Sequence, residues 1–267
     1  MRFFIVSLFC LSSLSAQVVQ KPDFERMRID NTLGSQLPLE LMFQDENGKD
    51  VRLGDYFTEE GHPVVIILAY YSCPGICTLV LNGFTKGLKE LDWKPGEKFT
   101  VLTVSIDPTE TAALAKKKQA TYAEFYGHDL KDKWYFLTGK QANIAKLTDV
   151  LGFRYYYDKK RKVYVHPPAA YIFTSKGKLS RCLPKFVFTE QDLKLGLMEA
   201  SEGKMGTIID RIQSFCFHYD PNKSKYVAQA SKIMTAGGVL IVIVFGTFLV
   251  LLWKKEFKKN KAVEDTA

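Results

Sequence analysis

The apolar segment at residues 64–71 constrains the fold of this chain more than any other. It reads VVIILAYY, an unbroken run rich in β-branched side chains, and Pro63 precedes it. A run of this kind is typical of a central strand that is buried on both faces. Because such a strand needs other elements to cover it, the chain on either side must supply further strands and helices.

The patterns along the rest of the chain alternate between strand and helix. Further strands are predicted at residues 99–106, 134–137, 163–165 and 171–174. Helices are predicted at residues 78–91, 110–126, 141–151 and 189–200. Before them, an irregular lead-in precedes a hairpin-like turn at Asp45-Glu46-Asn47-Gly48. This alternation predicts an α/β sandwich with a central, mostly parallel sheet and flanking helices.

Residues 1–16 have the layout of a secretory signal peptide. Arg2 is followed by a mainly apolar stretch over residues 3–14, and small residues follow up to Ala16. The stretch is too short to span a bilayer comfortably, and the small residues are typical of a cleavage site. We therefore expect the chain to be exported, with a retained N-terminal anchor as the alternative.

A second apolar segment, residues 233–253, predicts a single transmembrane helix. Twenty-one uncharged residues lie between Lys232 and Lys254. A helix of that length covers roughly 30 Å, the thickness of the hydrocarbon core of a bilayer. Trp253 is typical of an interfacial anchor, and the lysine-rich tail after it indicates the cytoplasmic side. We expect a single-pass protein of the cell membrane, anchored by its C-terminus, whose globular domain lies on the periplasmic, extracytoplasmic side.

The two ends divide the chain into six segments. These are a signal peptide at 1–16, a lead-in at 17–36, an exported α/β domain at 37–205, a juxtamembrane linker at 206–232, the transmembrane helix at 233–253 and a basic cytoplasmic tail at 254–267. The chain has 46% hydrophobic and 25% charged residues, which excludes a disordered protein. Part of its net charge of +8 comes from the lysines of the tail, so we expect no nucleic acid partner.

A cysteine pair follows the strongest predicted strand. The sequence Cys73-Pro74-Gly75-Ile76-Cys77 lies where that strand ends and the next helix begins. In open α/β folds chemistry is usually placed at the carboxyl ends of strands, and a helix N-terminus lowers the pKa of a thiol. A spacing of four residues brings both sulfurs to one side of the first turn. There they either close a disulfide or hold one metal ion, and soft thiolates favour Cu(I) or Zn(II).

His166 is the best candidate for a third ligand. It follows the predicted strand at 163–165 and precedes Pro167-Pro168, which stiffens its loop. Two cysteines and one neutral imidazole suit a three-coordinate Cu(I) ion, whereas zinc usually takes a fourth ligand. The residues alone leave two other interpretations open: a structural disulfide of the kind common in exported domains, and a histidine that simply lies on the surface.

Four motifs follow one another along the chain. They are YYSCPGICTLVLNGF, TVSIDPTET, WYFLTG and VYVHPPAAYIFTSKGKLSR. In this order they resemble the Sco/SenC family, and the resemblance extends over about residues 37–200. It implies a thioredoxin-like fold and the delivery of copper to cytochrome c oxidase. It also implies that Cys73, Cys77 and His166 bind the copper ion.

The resemblance points to one further site residue, and the chain differs from the family's pattern at two positions. Asp107 matches the acidic residue of the family's strand-end Asp-Pro, which implies a site-shaping role, and an Asp that closes a turn or caps a helix is the alternative. Gly75 stands where the family often has Asp, and Val165 stands where it often has an acidic residue. Since both differences remove negative charge, we expect them to affect copper affinity and the choice between Cu(I) and Cu(II).

The remaining cysteines of the exported part are Cys182 and Cys216. In an oxidising compartment they either form a structural disulfide with each other or remain free buried thiols.

The leading functional prediction is a membrane-tethered copper chaperone and not an enzyme. It would carry copper, preferably Cu(I) and secondarily Cu(II), to the apo copper-bearing subunit of cytochrome c oxidase. Transfer to the binuclear copper centre would proceed by ligand exchange. The alternative is a thiol–disulfide oxidoreductase in which Cys73 and Cys77 are the redox pair. It would keep the metal-binding cysteines of a partner reduced and would work with other thioredoxin-like reductants. A thioredoxin-like scaffold with a structural disulfide is the third interpretation.

Overall fold

The structure is a computed structural model that describes residues 26–57, 61–73, 75–204, 217–220, 225–228, 241 and 245–248. The predicted signal peptide, the basic tail and Cys216 lie outside the described residues.

A five-stranded sheet forms the centre of the described domain. Its strands are β4 (Val64–Ala69), β5 (Thr100–Ser105), β6 (Trp134–Leu137), β10 (Ala170–Phe173) and β11 (Leu179–Leu183). They lie in the order β11-β10-β4-β5-β6. Strand β4 is buried along its whole length, as its apolar sequence predicts.

The sheet is mixed, so the expectation of a mostly parallel sheet is wrong. Strand β5 is parallel to both β4 and β6, whereas β10 is antiparallel to both β4 and β11. The physical reason is the short connection after β10. The Thr174 N–H donates to the carbonyl oxygen of Lys178 and the Gly177 N–H to that of Thr174, both at 2.9 Å, around a turn in which Gly177 adopts φ +72°. Such a hairpin can only pair its strands antiparallel.

Helices flank this sheet. They are α1 (Ile76–Glu90), α2 (Ala112–Tyr126), α3 (Gln141–Val150) and α4 (Glu190–Ser201). Helix α1 contacts both α2 and α4. The core between helices and sheet is aromatic: the ring of Trp134 lies 5.5 Å from those of Phe84 and Phe136, and Tyr122 stacks on Phe136 at 6.2 Å.

Shorter strands pair outside the main sheet. They are β1 (Arg28–Ile29) with β7 (Phe153–Arg154), β2 (Met42–Gln44) with β3 (Asp50–Arg52), β8 (Tyr156–Asp158) with β9 (Val163–Val165), and β12 (Phe217–Asp220) with β13 (Lys225–Ala228). The β2–β3 hairpin was predicted from its turn, where Asp45 accepts the backbone N–H groups of Asn47 and Lys49. The lead-in was expected to be irregular, but it contributes β1.

No helix among the described residues is long and apolar enough to cross a membrane. Most of the predicted span at 233–253 lies outside those residues. Within it, Ile241 and residues 245–248 are described, and they are helical.

We predict that Gly83→Ala destabilises the fold, although Gly→Ala in an exposed helix stabilises it by about 0.5–1 kcal/mol. A Cβ at Gly83 of α1 would come within 1.8 Å of the carbonyl oxygen of Phe186. Because backbone must move to make room, the free energy of unfolding should fall by about 1–3 kcal/mol. Urea denaturation followed by tryptophan fluorescence measures this. Lys86→Ala, at an exposed position of the same helix, is the control and should change it by less than about 0.5 kcal/mol. A more stable Gly83→Ala variant would contradict the close packing.

Candidate metal centre

The loop between β4 and α1 places both cysteines at the start of the helix. Gly75 is the N-cap of α1 and offers no side chain, and the first N–H groups of a helix have no partner within it. The sulfur of Cys73 accepts hydrogen bonds from the backbone N–H groups of Gly75 and Cys77, both at 3.4 Å. The Cys73 sulfur therefore takes the place of a capping side chain. The positive end of the helix favours negative charge on that sulfur.

His166 reaches the same pocket from the loop between β9 and β10. Its Nε2 lies 2.7 Å from the sulfur of Cys77, and its Nδ1 lies 3.0 Å from the carbonyl oxygen of Pro167. Because a carbonyl can only accept, Nδ1 carries the proton, and the lone pair of Nε2 faces the sulfurs. This is the tautomer in which a histidine binds a metal through Nε2. The ring is buried against those of Tyr70 and Phe153, so the alternative of a surface histidine is wrong.

The convergence predicted from the sequence is observed. One atom each from Cys73, Cys77 and His166 lie within 4.8 Å of one another, and no fourth His, Cys, Asp or Glu joins this group among the described residues. Both cysteines are free thiols. Since bonds from sulfur and nitrogen to a metal are about 2.0–2.3 Å long, one ion can contact all three atoms.

The two thiols of the pocket differ in acidity. The hydrogen bond from Cys77 lowers the pKa of Cys73 well below its usual value, and the Gly75 N–H adds to this against the effect of burial. Burial and the nearby Cys73 sulfur raise the pKa of Cys77. Cys73 is therefore the more acidic of the two thiols.

The sequence interpretation missed Glu110, which holds the loop before Cys73. Its Oε1 accepts the backbone N–H and the hydroxyl of Ser72 at 2.7 and 2.8 Å. Its Oε2 accepts the backbone N–H of Tyr71 at 2.8 Å and the hydroxyl of Ser105 at 2.6 Å. Four donors on one carboxylate fix the backbone that leads into Cys73. The signal that points to this role is the place of Glu110 in TVSIDPTET, just after the strand that pairs in parallel with β4.

Asp107 lies near the pocket but makes its hydrogen bonds locally. Its Oδ1 accepts the backbone N–H and the hydroxyl of Thr109, at 2.8 and 2.6 Å, in the turn before α2. The pKa of Tyr164, an aromatic neighbour of the pocket, is raised by burial and secondly by the charge of Asp107. None of the hydrogen bonds of the described residues joins its carboxylate to Cys73, Cys77 or His166, and its site-shaping role stays a prediction.

Cys182 lies on β11, opposite Tyr171 of β10, and is a free thiol whose pKa burial raises to about 12. Its predicted partner Cys216 lies outside the described residues, so the disulfide between them stays a prediction.

The order of the motifs and the geometry of this pocket agree with a comparison of whole sequences. The model of the SCO1/SenC family matches residues 35–194. The chain belongs to the SCO1/SenC family. No curated protein matches the chain.

Two solved proteins of Aquifex aeolicus VF5, named for electron transfer and electron transport, are 21% and 20% identical to this SCO1/SenC chain, with TM-scores of 0.56 and 0.53. Both matches cover 64% of this chain, with 95% and 99% of theirs. Arabidopsis thaliana ScoI, solved with copper bound, is 16% identical with a TM-score of 0.50, over 64% of this chain and 99% of its own. These similarities support the expected α/β, thioredoxin-like fold.

We predict that Glu110→Gln disturbs the loop and that Asp107→Asn, the matched amide replacement three residues earlier, does not. A glutamine has only one oxygen, so its NH2 group would face N–H or O–H donors that the carboxylate now accepts. The free energy of unfolding should therefore fall by about 1–3 kcal/mol, and hydrogen exchange of the Tyr71 and Ser72 amides should become faster. An asparagine keeps the oxygen that Thr109 uses, so its effect should stay within about 0.5 kcal/mol. Equal effects of the two replacements would contradict the role given to Glu110.

We further predict that Cys73 remains reactive at acidic pH. A lowered pKa keeps the thiolate present as the pH falls below the ordinary cysteine pKa of about 8.5, so alkylation of Cys73 by iodoacetamide should persist at pH 6. Cys77→Ala removes the main hydrogen bond to Cys73 and should move its reactivity profile to higher pH. Peptide mapping by mass spectrometry separates the cysteines, and Cys182 serves as the unreactive control. A profile for Cys73 centred near pH 8.5 would contradict the prediction.

Proposed function

We propose that this chain is a membrane-tethered copper-binding protein that delivers copper to cytochrome c oxidase. The observation that carries the proposal is the set of two sulfurs and one imidazole nitrogen within 4.8 Å, with the nitrogen's lone pair facing the sulfurs. Family membership supports it, because Arabidopsis thaliana ScoI of the same fold has been solved with copper bound.

The donor set fits copper better than zinc. Two cysteine sulfurs and an imidazole are soft and borderline ligands, which favour Cu(I). Zinc would usually take a fourth ligand, and the described residues offer none of the usual side chains within the group. Cu(II) is the second oxidation state of the proposal, since the imidazole of His166 suits it as well.

The pocket is arranged for release from one side. Cys73 is 9% exposed, whereas Cys77 and His166 are each 1% exposed. An acceptor thiolate or imidazole therefore approaches on the side of Cys73, and Cys73 is the first ligand to be exchanged. The N–H groups of Gly75 and Cys77 stabilise the Cys73 thiolate when it no longer binds the ion, so release leaves no uncompensated charge in the pocket.

The acceptor and the location of transfer complete the proposal. The acceptor is the apo copper-bearing subunit of cytochrome c oxidase, and transfer to its binuclear copper centre proceeds by ligand exchange. The segment at 233–253 tethers the protein to the cell membrane, with its domain on the extracytoplasmic side after removal of the signal peptide. In this proposed location, donor and acceptor lie at the same membrane surface.

Anaerobic titration of the purified chain with Cu(I), against a chromogenic Cu(I) chelator, tests this function. We expect one equivalent of tightly bound copper for the wild type and none for the Cys73→Ser/Cys77→Ser variant. His166→Ala should weaken binding by about tenfold or more, since even residues that only orient a ligand contribute that much. Cys182→Ser removes a thiol outside the pocket and should bind as the wild type does. Equal copper retention by wild type and His166→Ala would contradict the ligand set.

A second candidate function is a thiol–disulfide oxidoreductase acting on the metal-binding cysteines of a partner. The observation that favours it is the lowered pKa of Cys73, which makes that sulfur a nucleophile beside a second free thiol. In that function His166 tunes the thiols and binds no metal. The titration above separates the two functions, because a pure oxidoreductase would show the same copper retention with and without His166.

A further inference from the structure

A chain of tyrosine side chains leads from the metal centre to the protein surface. The ring of Tyr70 lies 6.0 Å from that of His166, and the ring of Tyr164 lies 5.5 Å from that of Tyr70. Tyr157 packs on Tyr164 at 5.0 Å and is 47% exposed. These distances between ring centroids are typical of aromatic rings in contact. Tyr70, Tyr164 and Tyr157 are called the tyrosine path below.

The inner end of the path lies beside Cys73. The Cys73 N–H donates to the carbonyl oxygen of Tyr70 at 3.3 Å, and Tyr70 is only 5% exposed. Burial and the nearby Cys73 sulfur raise the pKa of Tyr70, so its phenol keeps its proton. The other ring that packs on His166 among the described residues is that of Phe153, at 5.8 Å. Because a phenol is oxidised far more easily than a phenyl ring, an electron can reach the pocket through Tyr70 and not through Phe153.

The hydroxyl groups of the two outer tyrosines have no structural role in the described part of the chain. None of the hydrogen bonds there uses the hydroxyl of Tyr164 or Tyr157. The hydroxyl of Tyr71 differs, because it lies 2.9 and 2.7 Å from the carbonyl oxygens of Thr103 and Leu137 and joins two strands. A phenylalanine would fill the same space in the path, so packing alone does not account for a phenol at both positions.

The pocket is the place where an oxidising equivalent arises and does damage. Cys73 is the more acidic of its two thiols and the more exposed one. Thiolate character and access make a cysteine susceptible to oxidation, and its sulfinic and sulfonic acids are in general not reduced back. A radical on Cys73 therefore destroys the metal centre unless an electron reaches the sulfur first.

We propose that the tyrosine path carries oxidising equivalents from Cys73 to the surface at Tyr157 and thereby protects the metal ligands. This is a function beyond copper delivery. It rests on the proposed function only in requiring copper in the pocket, because bound Cu(I) is what reacts with the oxidant. The oxidant is hydrogen peroxide, and the final electron donor is a small external reductant such as ascorbate.

Each step of the path moves one electron. Hydrogen peroxide takes one electron from Cu(I) and one from the Cys73 thiolate, which yields two hydroxide ions, Cu(II) and a thiyl radical on Cys73. Tyr70 gives one electron and its phenolic proton to that sulfur, which leaves a thiol on Cys73 and a tyrosyl radical on Tyr70. One electron and one proton then pass from Tyr164 to Tyr70, and likewise from Tyr157 to Tyr164. The external reductant restores Tyr157 by supplying the last electron and proton.

The test uses the full-length chain in neutral detergent, loaded with Cu(I) and mixed with a stoichiometric amount of hydrogen peroxide without added reductant. Tyr164→Phe interrupts the path in its middle and leaves Tyr157 in place. The control is Tyr126→Phe, the same replacement at a tyrosine outside the path, whose ring packs on His128. Freeze-quench electron paramagnetic resonance detects tyrosyl radicals, and peptide mapping by mass spectrometry locates the oxidised side chains.

We expect a tyrosyl signal and oxidation of Tyr157 in the wild type and in Tyr126→Phe. Tyr164→Phe should lose the oxidation of Tyr157 and accumulate severalfold more sulfinic and sulfonic acid at Cys73. Equal oxidation of Tyr157 in Tyr164→Phe would mean that peroxide attacks it from solution, and it would overturn the proposal. Unchanged damage at Cys73 in that variant, or the same increase in the control, would overturn it as well.

Copper binding is measured first on each protein by the titration described above. A wild type that binds no Cu(I) would contradict the proposed function and this inference together. A wild type that binds Cu(I) but shows no oxidation of Tyr157 would contradict this inference alone. If Tyr164→Phe binds less copper than the wild type, Tyr157→Phe at the exposed end of the path replaces it in the comparison. It removes the exit, so it should also increase the damage at Cys73, and equal damage in Tyr157→Phe and the wild type would count against the path.

Discussion

The hydrogen bonds from the first amides of α1 to the sulfur of Cys73 are the interaction on which the site depends. They require that the chain pass from β4 into the helix within a few residues. They also require a glycine at the N-cap, because a glycine has no side chain that could cap the amides in place of the sulfur. The loop cannot take this shape alone, because its backbone before Cys73 is fixed by a residue of another strand–helix connection. Ala69 is paired in parallel with Ser105, so the chain after β5 runs beside the chain after β4 and brings Glu110 to Ser72.

The antiparallel strand β10 explains how the histidine reaches the cysteines. Ala170, the first residue of β10, lies opposite Ile67 near the carboxyl end of β4. His166 lies just before β10 and therefore lies at the same edge of the sheet as the cysteine loop. In a mostly parallel sheet the start of β10 would lie at the opposite edge, and His166 could not approach Cys77. The mixed sheet thus corrects the fold expected from the sequence and also accounts for the convergence that the sequence predicted.

The parts of the fold that were predictable are those with a local pattern. A short stretch of sequence is enough to predict the buried strand β4, the helix α1 and the turn before β3. Strands β1 and β7 are each two residues long and form only by pairing with each other, more than a hundred positions apart. No local pattern therefore indicates them. Glu110 was missed for the same reason. Its partners Tyr71 and Ser72 are 39 and 38 residues away, so the only signal is its position just after a strand that pairs in parallel with β4.

The difference between the two cysteines follows from the direction of the helix and not from their sequence neighbours. Cys73 precedes the helix and receives its free amides, whereas Cys77 lies inside the first turn, where its sulfur accepts only a long contact of 3.5 Å from the Tyr70 N–H and meets the histidine. One position is therefore stabilised as an anion near the surface and the other as a neutral group in the interior. Two identical residues four positions apart thus acquire different environments, one at the edge of the pocket and one in its interior. A disulfide-only scaffold has no need of this asymmetry, whereas the ordered ligand exchange that we propose does.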